Sequence, residues 1–383
     1  MEYGFDTKCC HCVTDIVNEH SFGAVAVPIY QTATFAHRGI GESTGYNYTR
    51  TSNPTRDEVE KVVAQLEGAD RAFSCVTGMA AIALVLELFG DGDHIIASED
   101  LYGGTVRLFD KVGTRHGVEC TYVNTGDYDA VCAALKENTK ALYIETPSNP
   151  MMQVTDLRQM RRLADEKGLL VIVDNTFLSP YFQRPIELGA DIVVHSGTKF
   201  LCGHNDTVAG FVCSANAELS ERLAFLNNCI GYGLAPFDSY MILRGIKTLS
   251  LRMERAQQNA IKIAEWLDSQ EKIARVYYTG LPSHPGYEVN LSQASGFGSM
   301  ISFTTDCEAT ARRILERVHL IIFAESLGGV ESLITYPMLQ THADVPVEVR
   351  ERLGINERFL RMSVGIECAD DLIADLDQAM NGD

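Results

Sequence analysis

The stretch LLVIVDNTFLSPYFQRPIELGADIVVHSGTKF, Leu169 to Phe200, decides how this chain folds. Its two short runs, LLVIV and DIVV, show almost no alternation of apolar with polar residues, the pattern of strands covered on both faces. Each run ends on residues that a buried strand end does not favour. Asp174 follows the first; Ser196, Thr198 and Lys199 follow the second. An ionised carboxylate in such a place is expensive unless a cation meets it. A lone lysine among small and hydroxyl residues suits an amine that must lose its proton and attack a carbonyl.

Outward from this stretch the same pattern repeats. RAFSCV precedes the helical GMAAIALVLELF, HIIAS follows, and ALYIETPSNP precedes the amphipathic TDLRQMRRLADEKG. Strands alternating with helices predict an α/β fold, a mostly parallel sheet with helices on both faces. In such sheets functional residues collect just beyond the carboxyl ends of the strands. A long helical stretch from Ser239 to Ser269 leads into a final third. There SGFGSMISFTT and FLRMSVGIE read as antiparallel strands flanking amphipathic helices. The expected division is an irregular arm over 1–57, a large α/β domain over 58–250 and a smaller α+β domain over 251–383. Thr55, with Glu58 three residues on, is expected to cap the helix that ends the arm.

With 383 residues, 46% of them hydrophobic and 22% charged, the chain can bury a sizeable core. Its net charge of −19 repels nucleic-acid phosphate and anionic lipid, so neither is an expected partner. The start, MEYGFDTKCC, lacks the basic and apolar segments of a secretion signal, and no apolar run approaches the ~20 residues that span a bilayer. A cytoplasmic protein is expected. Eleven cysteines, among them Cys75, Cys132, Cys213 and Cys229 in apolar runs, read as reduced core thiols. The cluster Cys9, Cys10, His11 and Cys12 has no second ligand pair, so no metal is expected there.

Four features at expected strand ends could carry chemistry: Glu145, Asp174, Lys199, and the turn Thr77–Gly78. A small-residue turn opening a helix presents free N–H groups and the positive end of the helix dipole, which suit phosphate. Asp174 reads equally as a cap or ion pair and as the partner of a protonated ring nitrogen. Glu145 reads as structural, and His204 as a turn residue. The GTK triplet lacks the frame of a Walker loop, and neither a Gly-x-Ser-x-Gly elbow nor a Gly-x-Gly-x-x-Gly fingerprint occurs. A lysine for a Schiff base, a carboxylate for a pyridinium and hydroxyls for a phosphate are what pyridoxal phosphate (PLP) asks of a protein. The residues alone leave this open beside the blander readings.

Seven motifs occur in order: YTRTSNPT (48–55), LYGGT (101–105), ETPSNP (145–150), VDNTF (173–177), HSGTKFLCGHNDTVAG (195–210), ESLGGVESLITYP (325–337) and LRMSVGIE (360–367). Together they resemble the Cys/Met-metabolism PLP enzymes, which include cystathionine γ-synthases, cystathionine γ- and β-lyases, methionine γ-lyases and O-acetylhomoserine sulfhydrylases. The resemblance spans essentially the whole chain. It implies the PLP-dependent transferase fold type I, like aspartate aminotransferase, and a homotetramer built from two active dimers. It implies that Lys199 holds PLP and shuttles protons, that Asp174 pairs with the ring nitrogen and that Tyr102 stacks on the ring. Gly78, Met79, Ser196 and Thr198 would bind the phosphate, and Asn149 would sit near the ring hydroxyl. Tyr48 and Arg50 would reach the phosphate of a neighbouring subunit. Arg361 would clamp the substrate carboxylate, with Ser326 close by.

Glu325 resembles the glutamate with which cystathionine γ-synthases and γ-lyases meet the distal amino group of cystathionine or incoming cysteine. The implied activity is γ-replacement or γ-elimination, making cystathionine from an acyl-homoserine and cysteine or cleaving it to cysteine, 2-oxobutanoate and ammonia. Gly104 stands where methionine γ-lyases tend to carry cysteine. Asn47 stands where several cystathionine enzymes have an acidic residue, which keeps O-acetylhomoserine sulfhydrylase and β-lyase activity in view. A PLP-fold protein without catalysis is the remaining alternative; the presence of Lys199, Asp174 and Arg361 together argues against it.

Overall fold

The computed structural model describes residues 3–11, 22–343, 345 and 347–382. Seven strands form the larger sheet: β1 (Arg71–Cys75), β2 (His94–Ser98), β3 (Glu119–Val123), β4 (Thr139–Glu145), β5 (Leu170–Asp174), β6 (Ile192–Ser196) and β7 (Gly210–Ser214). Their order is β1-β7-β6-β5-β4-β2-β3, and only β7 runs against its neighbours. The central strands β4, β5 and β6 are almost wholly buried, as their apolar runs ALYI, LVIV and IVV require. This is the expected α/β architecture.

Local signals set the helices between them. Gly68 and Gly168 end the helices Pro54–Glu67 and Leu157–Lys167 with φ of 75° and 68°, a left-handed turn that glycine adopts without penalty. The first of these helices begins differently from expectation. Asn53, not Thr55, is its cap: the Asn53 side chain accepts the Thr55 N–H at 3.0 Å, and Pro54 occupies the first helical position. Proline has φ preset for that position and no N–H to orphan there, so the helix is capped two positions earlier than expected. Thr55 instead donates its hydroxyl to Pro28 O at 2.9 Å.

Five strands form the second sheet: β8 (Ile273–Tyr277), β9 (Met300–Thr305), β10 (Ile322–Phe323), β11 (Leu333–Thr335) and β12 (Phe359–Ser363), in the order β10-β11-β12-β9-β8. The expected antiparallel pairing of the SMISFTT and FLRMS segments is the β9–β12 ladder. The single helix expected over 239–269 is two, Pro236–Ile246 and Leu249–Asp268, parted at Lys247–Thr248. Leu249 and Met253 pack into the core of the first sheet, and Ala260, Ile263 and Leu267 into that of the second. The expected division near 250 falls at the start of this helix.

Strand β12 shows why the second sheet matters to a site. Leu360 and Met362 enter the core of its own sheet. Their alternates turn the other way: Phe359 packs against Met151, Arg361 meets Asn149, and Ser363 accepts the Gly328 N–H. The two-residue period of a strand thus sends a buried arginine out of one core towards the carboxyl ends of the other sheet.

No helix among the described residues is long and apolar enough to cross a membrane. Cys75 and Cys213 are buried and Cys132 is half-buried. Cys229 is exposed, against the expectation of a core thiol, because it lies on the outer side of the helix Ala217–Ile230. Cys12 lies outside the described residues, and among the described residues no histidine, cysteine and carboxylate cluster could hold a metal.

Candidate active site

A cleft of about 440 Å³ opens where β4, β5 and β6 end, faced by the loop 325–327 and Arg361. It brings together Gly78, Met79, Tyr102, Glu145, Asn149, Asp174, Ser196, Thr198, Lys199, Glu325, Ser326 and Arg361. Tyr48 and Arg50 do not line it. Tyr48 is 47% exposed, and Arg50 donates from Nη1 to the Asn228 backbone at 2.5 Å and side chain at 2.9 Å.

Register explains the carboxylates. Glu145 and Asp174 close β4 and β5 as directly paired residues, so two acids stand side by side in a buried place. Burial and its Asp174 neighbour push the Glu145 carboxyl well above the usual range, while the Tyr102 N–H, 3.2 Å from Oε2, opposes this. Burial also raises Asp174, against the pull of Thr176 and His195. Asp174 Oδ1 accepts the Thr176 N–H (3.1 Å) and hydroxyl (2.6 Å). Neither hydrogen bond engages Oδ2. A cation arriving there restores the anion.

Lys199 lies three residues past β6 and donates from Nζ to Ser326 Oγ at 2.8 Å. Burial first, and the Arg361 charge second, pull its amine down to about 8, with Glu325 opposing. Arg361 is 2% exposed; it donates from Nη1 to Asn149 Oδ1 (2.7 Å) and from Nη2 to Ser326 O (3.1 Å). Its Nε is buried without a partner. Ser326 holds φ at +92°, a strained value for a residue with a side chain, and so presents its hydroxyl to one cation and its carbonyl to the other.

The opposite wall is the turn that opens the helix Gly78–Leu86. Thr77 caps it, accepting the Ala80 N–H at 2.9 Å, which leaves the Gly78 and Met79 N–H groups facing the cleft beside Ser196 and Thr198. The approach is close enough to demand glycines. A Cβ on Gly78 would sit 3.0 Å from Ser196 Oγ, and one on Gly210 would sit 2.8 Å from Gly78 Cα. A Cβ on Gly104 would fall 2.5 Å from the Tyr102 ring and 2.9 Å from Met79 Sδ, so the ring lies over bare backbone.

Several residues of the site carried no individual signal in the sequence. Thr176 orients Asp174 and accepts the Ser196 N–H at 2.9 Å, joining β5 to β6. Its place two residues after a strand-end aspartate is a turn signature that reading the carboxylate alone passes over. Gln340 and Thr341 line the cleft, and His342 behind them meets Asn149 O at 3.1 Å. Burial lowers His342 to about 4, so it stays neutral. His204, whose Nδ1 meets Cys202 O at 2.7 Å, holds the turn after Lys199.

An amine whose proton burial loosens, a carboxylate with one oxygen outside these hydrogen bonds and a helix-end cradle fit PLP. The fold is fold type I of the PLP-dependent enzymes, with a large mixed sheet and a smaller second sheet. Residues 6–381 match the family described as Cys/Met metabolism PLP-dependent enzyme. A cystathionine β-lyase of Lactococcus lactis is 48% identical over 95% of this chain and 96% of its own length. A cystathionine γ-lyase of Bacillus subtilis is likewise 48% identical over 95% and 96%. The structure of a cystathionine γ-synthase from Xanthomonas oryzae pv. oryzae, in complex with aminoacrylate and cysteine, superposes with a TM-score of 0.97 at 39% identity, covering 100% of this chain and 99% of that one. The chain belongs to the Cys/Met metabolism PLP-dependent enzyme family, in its trans-sulfuration branch.

Proposed function

We propose that this protein performs γ-elimination or γ-replacement on sulfur amino acids and acyl-homoserines, with cystathionine, cysteine and acyl-homoserine as its substrates. One observation carries the reading. The cofactor amine Lys199 and the carboxylate seat Arg361 both end on Ser326, so an amino acid seated at Arg361 presents its α-carbon to Lys199. Bound PLP supplies an electron-withdrawing ring that makes protons near the α-carbon acidic.

The protein's own groups do the rest. Lys199 Nζ holds the cofactor and, when free, takes and returns protons at the α-carbon. Asp174 Oδ2 keeps the ring nitrogen protonated. Gly78, Met79, Ser196 and Thr198 hold the phosphate, and Tyr102 covers the ring. Arg361 receives the substrate carboxylate, to which its unpartnered Nε is available. Asn149 holds Arg361 in orientation and borders the ring. Glu325, at the rim beside Lys199, meets a distal ammonium. Tyr48 and Arg50, exposed on the arm and outside this cleft, serve the phosphate of a neighbouring subunit, making a dimer the catalytic unit and a pair of dimers the assembly.

β-Elimination from cystathionine is the second reading; the equal identity to a relative named β-lyase and Asn47 on the arm favour it. The test ranks kcat/KM for cystathionine, methionine, cysteine, and acyl-homoserine with cysteine or sulfide. Cysteine and 2-oxobutanoate from cystathionine are expected. Homocysteine and pyruvate as the main products would transfer the assignment to β-lyase.

Gly210→Ala tests the phosphate cradle. The added methyl meets the Thr77 carbonyl and Gly78 Cα, and such overpacking costs about 1–3 kcal/mol. Titration of the apoprotein should show PLP affinity weakened about tenfold or more, with circular dichroism unchanged. Unaltered affinity would remove this turn from the phosphate site.

A further inference from the structure

Asp100 stands outside the cleft, between the end of β2 and Tyr102, and is 1% exposed, with no cation acting on it among the described residues. Its Oδ2 accepts the Ser148 hydroxyl and the Met151 N–H, the latter at 2.9 Å. These two donors flank Asn149 in sequence. The Ser148 oxygen in turn accepts the Gln153 N–H at 2.8 Å, so the hydroxyl proton is committed to Asp100. Asn149 Oδ1 receives Arg361 Nη1 at 2.7 Å. Asp100 Oδ1 is buried and has no partner. Burial pushes the carboxyl up to about 7, which Ser148 and Met151 partly offset. A carboxyl kept under such conditions does not serve an ion pair; one oxygen serves the loop and the other serves nothing.

We propose that Asp100 is a positioning residue for substrate recognition: by gripping the loop on both sides of Asn149 it fixes the amide that orients Arg361. The grip explains how one irregular loop between β4 and the helix Leu157–Lys167 holds a guanidinium that belongs to the other sheet. It also links that guanidinium to the segment carrying Tyr102, two residues beyond Asp100. The inference rests on the reading of Arg361 as the carboxylate seat.

The experiment compares Asp100→Ala, Asp100→Asn, Ser148→Ala and Arg361→Ala with the unaltered holoenzyme. It measures KM and kcat on the best amino-acid substrate, PLP affinity of the apoprotein, and the thermal midpoint. Asp100→Ala should raise KM about tenfold, the worth of a charge-assisted hydrogen bond, with kcat and PLP affinity within about twofold. Asp100→Asn should restore most of the loss, because its amide oxygen can take both donors and its NH2 falls where Oδ1 has no partner. Ser148→Ala, which removes one donor and leaves the carboxyl in place, should raise KM about threefold and stands in if Asp100→Ala does not fold. KM within about twofold in both variants, or PLP affinity lost in step with KM, overturns the inference while Arg361→Ala still raises KM. An Arg361→Ala enzyme with unchanged KM would instead remove the reading on which it rests.

Discussion

Lys199→Ala is expected to lose turnover by at least about a thousandfold, because on the proposed reading one side chain both holds the cofactor and moves the substrate proton. The unaltered protein should be yellow with PLP, and borohydride should fix the cofactor to a peptide containing Lys199; the variant should bind PLP reversibly and yield no such peptide. A colourless protein after reconstitution, or label on another lysine, would overturn the site. Its environment adds a pH dependence. Only the neutral amine attacks an aldehyde, and burial with the Arg361 charge lowers Lys199 from 10.5 to about 8. Capture of PLP by the apoprotein should therefore quicken with rising pH and level off above about 8. The sign for stability follows: a lysine whose folded value lies below its unfolded one disfavours the folded state below about 8, a penalty relieved as pH climbs towards 10.5. Apoprotein carrying Lys199→Met should melt higher than the unaltered apoprotein at pH 7, with the gap closing by pH 10.

Arg361→Ala comes second in expected effect. On the proposed reading Arg361 receives the substrate carboxylate; truncating one partner of a buried charge pair costs about 2–5 kcal/mol, so KM for amino-acid substrates should rise about a hundredfold while PLP content holds. Arg361→Lys should recover little, since a lysine ammonium cannot replace a planar fork. The substitution leaves Asn149 Oδ1 and Ser326 O without their donor, so some loss of thermal stability accompanies it. Loss of PLP in proportion to the loss of substrate binding would place Arg361 in the scaffold.

The sequence made the strands and their polar ends legible because both signals are local. LLVIV followed by Asp174 needs no partner to be read as a covered strand meeting something charged. The helix start at Asn53 was missed by two positions because Thr55 matched a capping pattern that the adjacent Pro54 overrides. Asp100 escaped notice although it too follows a strand, since its meaning lies in Ser148 and Met151, some fifty positions away. Ser326 could be named from its motif, but its hydrogen bond to Lys199 spans 127 positions and its backbone strain has no signature in residue identity. Glu145 read as a structural carboxylate; its register with Asp174 is a property of the ladder and appears only once β4 and β5 are paired.

The backbone of Ser326 constrains how such an enzyme can change its diet. A replacement there alters at one stroke the local chain path, the neighbour of the reactive amine and the acceptor beneath the guanidinium. Glu325, one position earlier and exposed at the rim, bears on Lys199 and Arg361 through its charge rather than through the chain path. A new preference for leaving group or incoming nucleophile is therefore reached at less structural cost by a substitution at 325 than by one at 326.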